Sequence, residues 1–333
     1  MGSSLFLGLC FLGSAAGLPG LLGRGLLLDG IRRRGDLLAG TRGILEKHVE
    51  PGTHCLDPLG LRGGQIRIID HLRTGAKSIV MANRALRAYI SHRSGGAVYE
   101  LDFYGRCVNL AAACEPQPAA LPHVLLPGRS RLAFVDHFLA PDARPGDIGG
   151  TTQERGDFVQ GWFDYTVHKT PIGARAVLAR QGMLAQGERN CPLAMEKVFG
   201  VERDRAELSF AYRLENRSVA AYTFRFATEI SLALPGAAVG KGRLVVGKTS
   251  YDDYAWERLT LDGVTELAIE DWLHGLRVTL TVQKPMSVWC HPVGSPGHGY
   301  QGTTLVFSAP VELAGGAFWG LVGKVSIRAI RRR

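Results

Sequence analysis

Along residues 86–110, apolar and polar positions alternate in two short runs joined by Gly95-Gly96. Side chains of a strand point alternately to its two sides. The second run therefore predicts Val98, Glu100 and Asp102 on one side and Tyr99, Leu101 and Phe103 on the other. The glycine pair supplies the backbone freedom of a tight reversal. The result is a hairpin with one packing face and one face carrying two carboxylates. The same period-two pattern predicts a strand at 65–70, one or two strands within 77–90 around a turn at Asn83, and further strands at 131–139, 158–168, 174–186, 193–203, 207–215 and 222–234. It continues at 243–247, 265–271, 277–283, 287–291, 303–307 and 317–330. Residues 111–128 and 140–156 are rich in Pro with Ala or Gly and read as loops, the second of a length that reaches over a binding face. Turn signals recur about every ten residues and no long amphipathic helix interrupts them. The chain is thus expected to be all-β, a large antiparallel β-sandwich over residues 61–333.

The first 60 residues break the pattern. Residues 5–16 are apolar but too few to cross a bilayer, and Met1-Gly2-Ser3-Ser4 lacks the positive charge of a signal peptide. Residues 17–43 are mostly Leu, Gly and Arg. Each glycine costs a helix about 1 kcal/mol against alanine, so this segment is expected to be irregular and removable.

Composition adds mainly exclusions. The net charge of +9 suggests nucleic acid, but the excess concentrates at Arg32-Arg33-Arg34 and Arg331-Arg332-Arg333. Elsewhere arginines are interspersed with acids and build no basic face, so no nucleic-acid partner is expected. The six cysteines, at 10, 55, 107, 114, 191 and 290, show no C-x-x-C pair and no zinc-ligand spacing. They read as reduced thiols of a cytoplasmic protein, with Cys107 and Cys114 the pair near enough in sequence to bridge. Asn216-Arg217-Ser218 fits a glycosylation sequon by chance. No metal or other cofactor is expected: Asp252-Asp253 lacks the spaced acids of a calcium loop, His291 and His298 lie in a Pro/Gly turn, and the glycines of 294–299 are not followed by Lys-Ser/Thr.

Several segments recur in a telling order. They are Gly95-Gly96 followed by Glu100-Leu101-Asp102, then Asp136-His137-Phe138, Gly156-Asp157-Phe158, Tyr212 with Asn216, Phe226 with Glu229, and Gln301-Gly302. The ordered set, over about residues 77–330, resembles the C-terminal β-sandwich of glycoside hydrolase family 57 α-amylases and 4-α-glucanotransferases. The resemblance implies a supersandwich of the galactose-mutarotase type. It also places the family's two catalytic carboxyl groups in an N-terminal β/α barrel, so no catalytic residue is carried over. The chain is then expected to be a non-catalytic, carbohydrate-associated domain without its barrel. Its expected partners are an α-1,4-glucan or maltooligosaccharide and a separately encoded barrel, with no membrane. Residues 1–60 do not match the family's upstream helical bundle, and their Leu/Gly/Arg bias is that of GC-rich codons read out of register. Residues 291–300 are shorter than the family's acidic and aromatic segment.

Two further readings stay open: a structural remnant without ligand, and a stand-alone mutarotase-like enzyme using Glu100 or Asp102 with a histidine. Acid–base work on a sugar ring needs a carboxylate and a histidine within hydrogen-bond reach of one substrate. The acids and histidine available are Glu100, Asp102, Asp136, His137, Asp157, Asp164 and Glu229. Asp136 and His137 are adjacent on a strand and so point to opposite faces; His137 is expected to be structural and Glu229 solvated. Sugar binding without chemistry uses aromatic platforms beside planar polar groups. Trp162, Tyr165, Tyr251, Tyr254, Trp256 and Trp272 form that pool, with Tyr251, Tyr254 and Trp256 in a loop-like run beside Asp252 and Asp253. The carbohydrate-binding candidates are therefore Glu100, Asp102, Trp162, Tyr251, Tyr254 and Trp256.

Overall fold

The computed structural model describes residues 64–73, 75–111, 132–145, 154–295 and 299–332. The expectations for residues 1–60, for Cys114 and His298, and for most of the two Pro-rich loops lie outside them. The described residues form seventeen strands in antiparallel pairings and a 3-10 turn at Pro235–Val239. The strands are β1 (Gln65–Ile69), β2 (Ser78–Ala82), β3 (Leu86–Ser91), β4 (Ala97–Phe103), β5 (Val108–Asn109), β6 (Ala133–Leu139), β7 (Asp164–Thr170), β8 (Gly173–Gln186) and β9 (Arg189–Glu202). They continue as β10 (Glu207–Asn216), β11 (Tyr222–Leu232), β12 (Gly242–Val246), β13 (Thr249–Tyr251), β14 (Leu259–Asp271), β15 (Leu276–Ser295), β16 (Gly299–Leu313) and β17 (Phe318–Ala329).

Two long strands join what are otherwise two layers. The second half of β15 pairs with β16 and its first half with β17. β14 follows β15 along both halves, with register shifts between Leu261 and Glu266 where the pair turns the corner. Strands that change layer through such irregularities are how sandwiches close their corners. Sheet 1 then runs β1, β2, β3, β4, β6, β11, β16, β15 and β14, while sheet 2 runs β7, β8, β9, β10, β17, β15, β14, β12 and β13. Sequence reading divided β15 into two strands because Lys284-Pro285 interrupts the apolar alternation. The backbone passes through that point without leaving the strand. Asn83 is the turn expected between β2 and β3, its side chain accepting from the amides of Ala85 and Leu86.

The core lies between the layers. Phe134 on β6 meets Phe199 and Phe210 of sheet 2, and Phe226 on β11 meets Tyr212 and Trp319. One ion pair crosses this apolar interior. Lys197 on β9 reaches Asp136 on β6 and donates to the carbonyls of Gly95, Gly96 and Phe134. Burial pushes the Asp136 carboxyl up and the Lys197 amine down, and their pairing opposes both shifts. Gly95 and Gly96 have φ of 66° and 62°, and a Cβ on Gly95 would strike the Val159 carbonyl. The hairpin therefore needs glycine for its turn and for the close packing around it.

One expectation about that hairpin is overturned. Tyr89 faces Glu100 but Ile90 faces Val98, so Tyr99 is an extra residue opposite one partner. This bulge reverses the alternation before it. Val98 joins Leu101 and Phe103 in the inter-sheet core, and Tyr99 turns outward with Glu100 and Asp102. The expectation of reduced thiols is corrected at one position: Cys107 is disulfide-bonded to a cysteine outside the described residues, while Cys191 and Cys290 are free and buried.

Candidate functional site

Glu100 and Asp102 stand on the outer face of sheet 1, opposite Tyr89 and Arg87 of β3. Strand register alone brings these four side chains together. The Arg87 guanidinium lies 5.5 Å from the Tyr104 ring centre and 6.0 Å from that of Tyr89, and its Nη1 donates to the Tyr89 hydroxyl at 3.2 Å. His71, just after β1, stacks on Tyr89 with ring centres 4.3 Å apart and puts Nε2 3.2 Å from Glu100 Oε2. Tyr99 fills the next place, 5.8 Å from Tyr89, with its hydroxyl donating to Ser78 Oγ at 2.9 Å.

The electrostatics follow from half-burial of an acid pair. Burial and the neighbouring Glu100 carboxylate push Asp102 up to about 7, against the pull of Arg87 and His71. Asp102 is therefore partly protonated near neutral pH, because burial and a neighbouring like charge both disfavour its charged form. The result is a platform of tyrosine rings carrying an acid pair, a guanidinium and an imidazole. Arg87 and Tyr89 are buried, so the groups this set leaves within reach of adjacent hydroxyls are Glu100, Asp102, His71 and the half-buried ring of Tyr99.

The remaining candidates are dispersed. Trp162 is 65% exposed, with the Arg93 guanidinium over one face of its ring. Trp256 is 63% exposed and its ring lies 6.2 Å from Tyr300. Tyr251 ends β13 and packs partly against the core. Tyr254 departs from expectation: it is 1% exposed and belongs to the inter-sheet core. A turn closed by the Trp256 amide on the Asp253 carbonyl explains the split, sending Tyr254 inward and Trp256 outward. Tyr165 is partly buried against the core and stacks with His92, and Trp272 lies under Arg243. Asp157 binds Arg180 and the Met183 amide, and Asp164 is exposed on β7.

Asp136 and His137 do point to opposite faces. Asp136 is the partner of Lys197 inside, whereas His137 lies outside between Glu154 at 2.9 Å and Glu229 at 3.4 Å. Burial alone would lower the His137 imidazole, but hydrogen bonds to Glu154 and Glu229 raise it to about 10. Glu229 is not solvated; it is buried, and accepts from Ser231, which meets Thr304 at 2.9 Å. From the pairing of Val98 with Ala133, this second cluster stands about 20 Å along the strands from the Glu100 platform, at roughly 3.3 Å per residue. The two do not share a substrate atom. Among the described residues no cluster of three or more His, Cys, Asp or Glu is placed to hold a metal ion, and no helix is long and apolar enough to cross a membrane.

Sequence reading missed His71, Arg87, Tyr89, Tyr99 and Tyr104. Arg87 and Tyr89 were visible as polar members of the first hairpin run. Their pairing with the acids needed the bulge, and His71 needed the tertiary path of β1.

Comparison with known proteins fits this architecture. The family described as alpha-amylase/4-alpha-glucanotransferase, C-terminal, matches residues 128–297. Among solved structures, the chain is similar to 4-alpha-glucanotransferase from Thermococcus litoralis, with TM-score 0.62 and 20% identity, covering 80% of this chain and 40% of that one. The chain thus spans less than half the length of that enzyme. It is also similar to a galactose mutarotase-like protein from Clostridium acetobutylicum, with TM-score 0.56 and 13% identity, covering 80% and 99%. A galactose 1-epimerase from Lactobacillus acidophilus gives TM-score 0.56 and 10% identity, covering 80% and 100%. At these identities the likeness is one of fold, a galactose-mutarotase-like β-sandwich. No curated protein matches the sequence.

Proposed function

The chain belongs to the alpha-amylase/4-alpha-glucanotransferase C-terminal family, and from that premise we propose that it is the non-catalytic, carbohydrate-associated sandwich of a glycoside hydrolase family 57 enzyme acting on α-1,4-glucans. In this reading it serves a catalytic β/α barrel held on a separate segment or chain. The described residues form strands and one short turn, and no such barrel. The observation that carries the carbohydrate role is the outer-face platform. Glu100 and Asp102 stand together half-buried on the outer face, beside His71 and Tyr99 and backed by the buried Arg87 and Tyr89. Carboxyl and guanidinium groups bind pairs of sugar hydroxyls, and tyrosine rings cover the apolar faces of the sugar.

Calorimetric titration with maltoheptaose tests this. Glu100→Gln and Asp102→Asn are expected to weaken binding by about 1.5–3 kcal/mol, the scale of hydrogen bonds to charged groups. Undiminished affinity in both variants would remove the platform from the reading. Absence of binding in the unaltered chain would leave a structural domain without ligand.

A second reading has one specific observation behind it. His71 Nε2 stands 3.2 Å from Glu100 Oε2, which supplies a histidine next to a carboxylate, the pair an acid–base opening of a sugar ring requires. Polarimetry on freshly dissolved α-D-glucose separates the two. Accelerated mutarotation that disappears in His71→Ala and Glu100→Gln would favour the enzyme, and binding without acceleration favours the accessory domain.

A further inference from the structure

Sheet 2 carries a second set of groups on its outer face, away from the Glu100 platform. Strand register aligns Ala179, Glu196 and Arg213 across β8, β9 and β10. The neighbouring row holds Ala194, Glu215 and Phe318 across β9, β10 and β17. The two alanines are short, and longer side chains rise around them. The outcome is an open trough of about 220 Å³. Along it Glu215 is held between Arg213 at 3.3 Å and Arg217 at 3.2 Å, which fixes the planar groups in place.

Just outside the residues that line it, an exposed aromatic ring stands on each side, Trp162 before β7 and Phe318 on β17. Phe163 points into the core, so alternation sends Trp162 outward with Asp164, which lines the trough. Phe318 pairs with Glu215 and is 66% exposed, with Arg213 5.0 Å from its ring centre. From β7 to β17 there are four strand spacings, roughly 19 Å at about 4.8 Å each. The rings are thus separated by the length of a short oligosaccharide, with guanidinium and carboxylate groups between them.

We propose that this trough, flanked by Trp162 and Phe318, is a second glucan-binding site, taking a linear maltooligosaccharide laid across the strands. The inference rests on the carbohydrate reading above. The chemistry favours sugar over a protein partner: protein interfaces are depleted in glutamate and alanine, whereas the centre here holds Glu196, Glu215, Ala179 and Ala194. The flanking aromatic rings supply stacking area, and the paired charges supply bidentate hydrogen bonds to vicinal hydroxyls.

The test is calorimetry of the full chain with maltoheptaose, in parallel for the unaltered chain and for Trp162→Ala, Phe318→Ala, Trp162→Phe and Asp102→Asn. Thermal melting of each variant checks the fold, which exposed residues are expected to leave intact. A binding event weakened about tenfold by each alanine variant, the scale of one lost aromatic contact, largely kept by Trp162→Phe and distinct from the event that Asp102→Asn weakens, supports the proposal. Binding that responds only to Asp102→Asn overturns the trough and keeps the carbohydrate reading. No binding in the unaltered chain overturns both. Sedimentation supplies the remaining outcome: self-association of the unaltered chain lost in Trp162→Ala and Phe318→Ala, with no glucan bound, would make this face a contact between copies and overturn the proposal.

Discussion

The outer faces of the two sheets are built from similar strands and meet opposite fates. On sheet 1, β2 and β6 are buried at every residue and β3 at all but its last. On sheet 2, β9 and β10 largely alternate between buried and open positions. The consequence is electrostatic. Polar groups removed from water must find partners, and on sheet 1 His137 finds two carboxylates while burial and the adjacent Glu100 raise Asp102. On sheet 2, Arg213, Glu215 and Arg217 pair in the open, where ion pairs contribute little to stability. The same polar residue types thus carry folding energetics where burial is deep, at His137, and little of it where they pair in the open, at Arg213.

The largest test of this contrast is stability. Glu229→Ala leaves His137 facing one carboxylate in a buried site and is expected to destabilise by about 3–5 kcal/mol, the cost of breaking a buried pair. Arg213→Ala on sheet 2 is expected to change stability by no more than about 0.5 kcal/mol. Urea unfolding of both variants checks it, and equal losses would erase the distinction. The aromatic run at 251–256 sharpens the same point. Tyr254→Ala opens a cavity in the core and is expected to cost about 3 kcal/mol or more, whereas Trp256→Ala is expected to stay near 0.5 kcal/mol. Unfolding midpoints that fall together would mean that the turn at Asp253 does not divide the pair as described.

The smallest effect per step is with pH, and it runs the same way for both titrating groups on sheet 1. His137 is raised to about 10 from an ordinary value of 6.5, so its stabilisation is fully present below about 6.5 and is lost as pH rises towards 10. Asp102 is raised from 3.8 to about 7. The folded state then holds a proton that the unfolded chain releases, and stability falls as pH rises from about 4 to about 7. Each group contributes at most about 1.4 kcal/mol per pH unit. Asp102→Asn is expected to flatten the lower window and His137→Asn the upper one, read from urea midpoints across pH. A lower window that persists in Asp102→Asn would assign it to other acids.

Much of the fold was legible because period two is a local property. The alternation along 207–215 predicts β10 to within one residue, and that along 193–203 predicts β9 without its first four residues, with apolar side chains repeatedly inward. The ordered hairpin, DHF and GDF segments carried the resemblance to the family, and the resemblance implied the sandwich that the recurring turns had already suggested. Glu100 and Asp102 were found as a pair because two positions along one strand always share a face unless the strand is irregular. Trp256, expected in a loop, is 63% exposed, whereas Trp162, read as part of a strand at 158–168, precedes β7 and is 65% exposed.

What the sequence determined by itself was thus the succession of strands along the chain, the glycine turn at 95–96 and the shared side of the two acids. Which side that was, and what stood beside it, was decided in three dimensions. One extra residue at Tyr99 exchanged Val98 for Tyr99 on the outer face, a shift that depends on hydrogen-bond register with β3 and leaves no mark on composition. The burial of Tyr254, the reach of Lys197 to Asp136 and the seating of His137 between Glu154 and Glu229 all join positions far apart in the chain. Local pattern sets which way a side chain leaves its own strand. Only the packing of one layer on another, and the desolvation it imposes, sets what that side chain meets.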